Sequence, residues 1–125
     1  MTQLRSLVLA VAAFATTAAP LAAQEDLPDG ELLERRLRAC LTTGAPGAPR
    51  ESLTAAVIAL RSLCHTQIRR VREFRLAAVD ARFGLPEARL SASRQAERER
   101  AHDAATRQLN DEIAAAVSHF TGLTL

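Results

Sequence analysis

The residues best suited to chemistry lie close together in the stretch SLCHTQIRRVR, residues 62–72. Cys64 and His65 could bind a metal ion, or they could be the end of a CxxCH haem-attachment motif. Neighbouring residues of a helix point about 100° apart, and Arg61 occupies the place of the first haem cysteine. A catalytic thiol needs a base facing it and a lowered pKa, which a cysteine turned into the core lacks. We therefore expect no metal, no cofactor and no catalytic residue here.

Other motifs for catalysis are weak or missing. The stretch Glu99-Arg100-Ala101-His102 is a single ExxH, whereas di-iron bundles use two of them with two further glutamates. The sequence contains no glycine-rich phosphate loop and no GxSxG elbow. The chain is therefore predicted not to be an enzyme, and an uncharacterised enzyme is kept only as the weakest of three hypotheses.

Four basic side chains recur at helical spacing along the same stretch, at positions i, i+4, i+8 and i+11. They are Arg61, His65, Arg69 and Arg72. We call this set the basic ridge. One hypothesis makes the ridge an anion-binding or partner-binding site, and the other pairs it within the chain with Glu97, Glu99 and Asp103. Charged runs are more often solvated faces, so intramolecular pairing is the favoured interpretation.

The first residues have the layout of a secretory signal peptide. Arg5 precedes the apolar run Leu7–Ala19, and the chain turns polar and acidic after Ala23. The run is too short to span a membrane, which needs about 20 apolar residues. We predict a signal peptide over residues 1–23, no membrane span after its cleavage, and a periplasmic or secreted bacterial protein.

Removal of that segment leaves fifteen arginines against fourteen acidic residues, a net charge of +1. This near-neutral charge, the lack of Trp and Tyr, and export together argue against nucleic acid as a partner.

Export also predicts a disulfide. Cys40 and Cys64 are the only two cysteines, and thiols outside the cytosol tend to oxidise. Closing the 23 residues between them would stabilise the fold by roughly 3 kcal/mol through the unfolded state. Free thiols and an intermolecular bridge are the alternatives.

The hydrophobic pattern predicts helices only. A short helix is expected over residues 31–42, a long unbroken one from about Arg50 to Phe83, and a third from Pro86 to about Phe120. Thr43–Pro49 and Gly84 supply the breaks between them. We predict an all-α fold in which a short N-terminal helix packs on a long antiparallel helical hairpin and is held to it by the disulfide. The domain covers residues 31–121, after a flexible acidic lead-in at 24–30 and before a frayed end at 122–125.

One stripe of the second helix is predicted to face the core. Its members are Leu53, Val57, Leu60, Cys64, Ile68, Val71, Phe74 and Ala78. If the third helix folds straight back, Leu109 meets the level of Leu60, so the bulky core collects far from the turn. Glu97 and Glu99 would then lie beside Arg72 and Arg75. The stretch 91–108 carries no large apolar residue.

These features favour a non-enzymatic protein-interaction or adaptor module. Its partner would be another periplasmic protein or a second copy, in a homodimer, bound through the alanine-lined, charged half of the hairpin. The alternative is a periplasmic metal-sensing, stress-sensing or chaperone-like hairpin. Such a protein is similar in architecture alone to the small exported hairpins of the Spy/CpxP-like group. Their LTxxQ signature is not met, because Leu53 and Thr54 are followed by Ala-Ala-Val.

Overall fold

A computed structural model describes residues 29–125 of the chain. These residues form four α-helices and one 3-10 turn. The elements are α1 (Asp29–Gly44), the 3-10 turn Ala45–Gly47, α2 (Leu53–Leu63), α3 (His65–Arg82) and α4 (Ala92–Thr121). Among the described residues there is no strand, so the predicted all-α class is confirmed. The predicted signal peptide and residues 24–28 of the lead-in lie outside the described range.

The short helix α1 runs antiparallel to α3 and covers the hairpin that α2, α3 and α4 form. At one end of α1, Gly30 lies against the ring of Phe74 with no room for a Cβ atom. Between the ends, the Sγ atoms of Cys40 and Cys64 are 2.07 Å apart. The predicted helix-on-hairpin architecture and the disulfide are both present. None of the helices in residues 29–125 is long and apolar enough to cross a membrane.

The link between α1 and α2 explains how Cys40 reaches Cys64. The end of α1 at Gly44 lies against the side chains of Leu60 and Leu63, near the end of α2. Residues 45–52 must therefore run back along α2 before that helix begins. The Ser52 Oγ accepts a hydrogen bond from the Ala55 N–H (3.0 Å), which fixes the first turn of α2.

Two predicted helix bounds are wrong. The long second helix is broken at Cys64, where φ is −98° and ψ is 18°. No Gly or Pro marks this break, which falls on the residue crosslinked to α1. The last helix begins at Ala92 rather than Pro86, because the Ser91 Oγ caps it by accepting from the Arg94 N–H (3.2 Å).

The buried core lies where α1, α2, the first half of α3 and the second half of α4 meet. Its residues are Leu37, Leu41, Ala45, Ala48, Leu53, Ala56, Leu60, Cys64, Ile68, Val71, Leu109, Ile113 and Val117. The predicted core-facing stripe is wrong beyond Val71, because the next positions of α3 that face inward are Arg75 and Val79. Phe74 is 43% exposed and Ala78 is exposed as well.

The molecule therefore has two regions of different construction. The body comprises residues 29–71 and 109–123 and contains the whole core cluster. The arm comprises residues 72–108, and Val79 is the one buried residue in it. This division confirms the prediction that the bulky core collects far from the turn. Leu123 packs on the body and its carbonyl accepts from the Ser118 Oγ (2.6 Å), while fraying of residues 122–125 stays a prediction.

Candidate functional site

The four residues of the basic ridge are brought together on one surface. Arg61 comes from the last turns of α2 and the other three from α3, and the break at Cys64 does not separate them. All four line a single shallow cleft of about 220 Å³. Its floor is Ile68, which is 5% exposed. No carboxylate from the described part of the chain lines this cleft.

The ridge has few partners within residues 29–125. Arg61 Nη1 donates to Asn110 Oδ1 on α4 (3.0 Å), which satisfies the donor without neutralising its charge. Arg69 Nε lies 3.9 Å from Glu73 Oε1, an exposed i,i+4 pair of the kind that contributes little. His65 and Arg72 make no ion pair or side-chain hydrogen bond to the described residues. The ridge therefore presents positive charge that the fold leaves largely uncompensated.

The favoured pairing of the ridge with acidic residues of α4 is absent from the described residues. Glu97 instead accepts from Arg94 of its own helix (2.7 Å). Glu99 and Asp103 are exposed and form no ion pair there. The interpretation of the ridge as an internally neutralised face is wrong.

A longer connection between α3 and α4 accounts for this result. Asp80 lies near the end of α3, yet it pairs with Arg98 and His102, well inside α4. The nine residues 83–91 therefore carry the chain past the end of α3 before α4 begins. Each residue of α3 then faces a later part of α4 than a tight turn would give, and Arg75 meets Glu112 instead of Glu97 or Glu99.

A charged cluster holds the two helices of the arm together. Asp80 Oδ1 accepts from Arg98 Nε (2.7 Å) and from His102 Nε2 (2.6 Å), and Asp80 Oδ2 accepts from Arg98 Nη2 (3.2 Å). The Arg98 hydrogen bonds, aided by that of His102 and opposed by partial desolvation, lower the pKa of Asp80 from 3.8 to about 2. The carboxylate is therefore ionised at neutral pH and ties α3 to α4.

This cluster places a histidine beside a carboxylate, as in hydrolase triads. Asp80 is the only hydrogen-bond partner of the His102 side chain within residues 29–125, so no nucleophile joins the pair there. Nearby, the Arg94 guanidinium stacks 4.4 Å from the centre of the Phe83 ring. The arrangement can tie helices together, and nothing in it activates a nucleophile.

A second charged tie joins three helices where the body meets the arm. Arg75 on α3 donates through Nη2 to Glu34 of α1 (2.7 Å) and to Glu112 of α4 (2.6 Å). Partial burial lowers the pKa of Arg75, but the hydrogen bonds to Glu112 and Glu34 outweigh it and leave the pKa raised. Sequence reasoning missed this tie, although the helical step from Val71 to Arg75 marks the position as inward-facing.

Another groove of the body lies between α1 and α4, with a volume of about 300 Å³. Its charged rim includes Arg35, Arg38 and the Arg75 tie. Five apolar residues of its floor are at most 6% exposed. They are Leu37, Leu41, Val71, Leu109 and Ile113. Arg75 on its rim is already paired with Glu34 and Glu112 of the same rim, whereas no carboxylate of the described residues lines the ridge cleft.

Within residues 29–125 no three or more His, Cys, Asp or Glu side chains lie close enough together to hold a metal ion. Compared with known proteins, the chain matches no family model, no curated protein and no solved structure. The basic ridge is therefore the candidate site, on the strength of its own geometry and charge.

Proposed function

We propose that this chain is a small exported α-helical protein-interaction module, not an enzyme, which binds acidic segments of protein through the basic ridge. Its location would be the periplasm or the exterior of a bacterial cell, as the predicted signal peptide and the disulfide suggest. The observation that carries the proposal is a cleft lined by three arginines and a histidine with no carboxylate among its described lining residues.

The residue types of the ridge suit a carboxylate-bearing partner. An arginine guanidinium presents a rigid fork of donors that matches a carboxylate in a two-bonded pair, and it is weakly hydrated. Three of the four ridge residues follow α3 at helical spacing and Arg61 precedes them on α2, so an acidic helix laid beside the ridge could bring carboxylates to successive turns.

The ridge is also held in a fixed place. It begins in α2 and continues into α3 on either side of Cys64, which is fully buried and crosslinked to α1. Ile68 and Val71 of the same segment belong to the core cluster. A surface on so constrained a backbone loses little backbone conformational entropy on binding.

A synthetic acidic peptide tests this proposal. The probe is a helical peptide with glutamates at i, i+4, i+8 and i+11, and its binding is followed by fluorescence anisotropy at low and high salt. We expect binding that Arg69→Ala with Arg72→Ala weakens roughly tenfold, since each exposed charge pair is worth about 0.2–1 kcal/mol. Raising the salt concentration should weaken it as well.

The matched control removes the same charge from the same helix but away from the ridge. Arg70 and Arg82 are exposed residues of α3 that do not line the cleft. Arg70→Ala with Arg82→Ala should leave peptide binding close to that of the unsubstituted protein. Equal losses in the two double variants would reduce the effect to net charge and refute the proposal, as would the absence of binding at low salt.

A further inference from the structure

The face that carries the basic ridge also carries an acidic pair. The hydrogen bond from Arg61 to Asn110 shows that the ridge side of α2 adjoins the Asn110 side of α4. Asp103 and Glu99 precede Asn110 by seven and eleven residues, which in an α-helix places them within about 20° of its direction. The ridge and the pair Glu99–Asp103 therefore share one face, with the acidic pair displaced toward the arm.

Neither group is neutralised within the described chain. Glu99 and Asp103 are both exposed and form no ion pair to any residue of 29–125. The only ion pair of the ridge within residues 29–125 is the long contact from Arg69 to Glu73. One face thus presents positive charge at one end and negative charge at the other.

We infer that two copies of this chain pair through this face, with the basic ridge of each copy against Glu99 and Asp103 of the other. The inference rests on the proposed function and names its partner: a second copy supplies the acidic helix. Charge complementarity on a single face is the argument for this occupant.

Two-fold symmetry makes such a face self-complementary. In an isologous dimer residue i of one copy contacts residue j of the other, and j contacts i in return. Rotating a face with separated positive and negative ends about a central axis sets each end against its opposite, so every favourable contact is made twice. The contacts are polar and exposed, so the dimer should form at high protein concentration and dissociate with salt.

Sedimentation equilibrium of the exported protein, with its disulfide intact, tests the inference. We expect a monomer–dimer equilibrium at low salt whose dissociation constant rises about tenfold at several hundred millimolar NaCl. Two charge reversals should each abolish the dimer: Arg69→Glu with Arg72→Glu, and Glu99→Arg with Asp103→Arg. Circular dichroism confirms that each variant is folded, and the milder Arg69→Gln with Arg72→Gln should weaken the dimer in the same direction.

The decisive measurement mixes the two reversed proteins. Each fails to pair with itself, but together they restore opposite charges at both contacts, so a one-to-one heterodimer should form. Salt bridges within one chain could not produce this rescue.

A protein that is monomeric at every concentration, a dimer that both reversals leave intact, or a mixture without heterodimer would each overturn the inference. The acidic-peptide assay separates the two claims. If the unsubstituted protein is monomeric and still binds the peptide through the ridge, the proposed function stands and only the second-copy partner is refuted.

Discussion

The body and the arm are built from the same helices but are held together by different forces. In the body, four helical segments meet around thirteen buried residues, and the disulfide closes one side. Beyond Arg75 the arm has only two helices, because the first residues of α1 lie against Phe74, and Val79 is the one buried side chain of the arm. The cluster of Asp80, Arg98 and His102 takes the place that apolar side chains hold in the body.

Because of this difference, most of the stability of the fold should come from the body, whereas the proposed binding face extends over both the body and the arm. Apolar burial contributes about 25 cal/mol for each Å² removed from water, whereas partly exposed ion pairs contribute little. The body should therefore unfold as one cooperative unit, and the arm should open locally at lower free energy. Three residues of the basic ridge lie on the body and the fourth, Arg72, is the first residue of the arm, which also carries the acidic pair. Opening of the arm would thus alter one half of the proposed binding face and leave the other half in place.

Removing the disulfide is expected to have the largest effect, and to fall on the body. The double variant Cys40→Ala with Cys64→Ala should lower the free energy of global unfolding by about 3 kcal/mol, because the unfolded chain is no longer closed into a loop. Denaturant titration measures this loss. Native-state hydrogen exchange of arm amides that open locally should stay unchanged, since the crosslink does not touch the arm.

Reduction of the unsubstituted protein provides the control, because it opens the same loop without changing the sequence. If reduction lowered the free energy of global unfolding by much less than 1 kcal/mol, the disulfide would not stabilise the body as expected. If the arm amides that open locally also lost protection from hydrogen exchange, the division into two regions would be contradicted.

The disulfide and the position of the core were predictable from the sequence for simple reasons. Two cysteines in a chain that is predicted to be exported leave one intramolecular pairing. Large apolar residues on the last helix begin only at Leu109, so the core had to lie at the far end of the hairpin. Neither prediction depended on exact helix bounds.

The features that depend on register were not predictable. The break at Cys64 carries no Gly or Pro, and it falls at a tertiary crosslink. The sequence predicts that α4 starts at Pro86, whereas in the structure the Ser91 side chain caps the helix. That shift of several residues moved every predicted contact between α3 and α4. It is the reason that the ridge was assigned internal partners which the structure does not give it.

A matched pair of valines on α3 compares the packing of the two regions directly. Val71 is 1% exposed in the body and Val79 is 3% exposed in the arm. Val71→Ala should lower the free energy of global unfolding by about 2 kcal/mol, from lost burial and the cavity left behind. Val79→Ala should lower it by less than about 1 kcal/mol, because two loosely packed helices can close over the gap. Denaturant titration of both variants measures the difference, and equal losses would show that the arm is packed as tightly as the body.

The smallest expected effect is confined to the arm and depends on pH. The pKa of Asp80 is lowered to about 2 in the folded chain from an ordinary value of 3.8. A lowered carboxyl pKa stabilises the fold fully above the unfolded value, and this stabilisation is lost as the pH falls through the folded value. The helical deviations of the backbone chemical shifts from random-coil values, for residues 76–82 and 92–102, should therefore decrease between about pH 4 and pH 2. In Asp80→Asn they should already be weaker at neutral pH and change little across that window. Glu34 and Glu112 are kept in both proteins, so the difference between the two titrations isolates Asp80. If both titrate alike, the arm is held together by something other than this carboxylate.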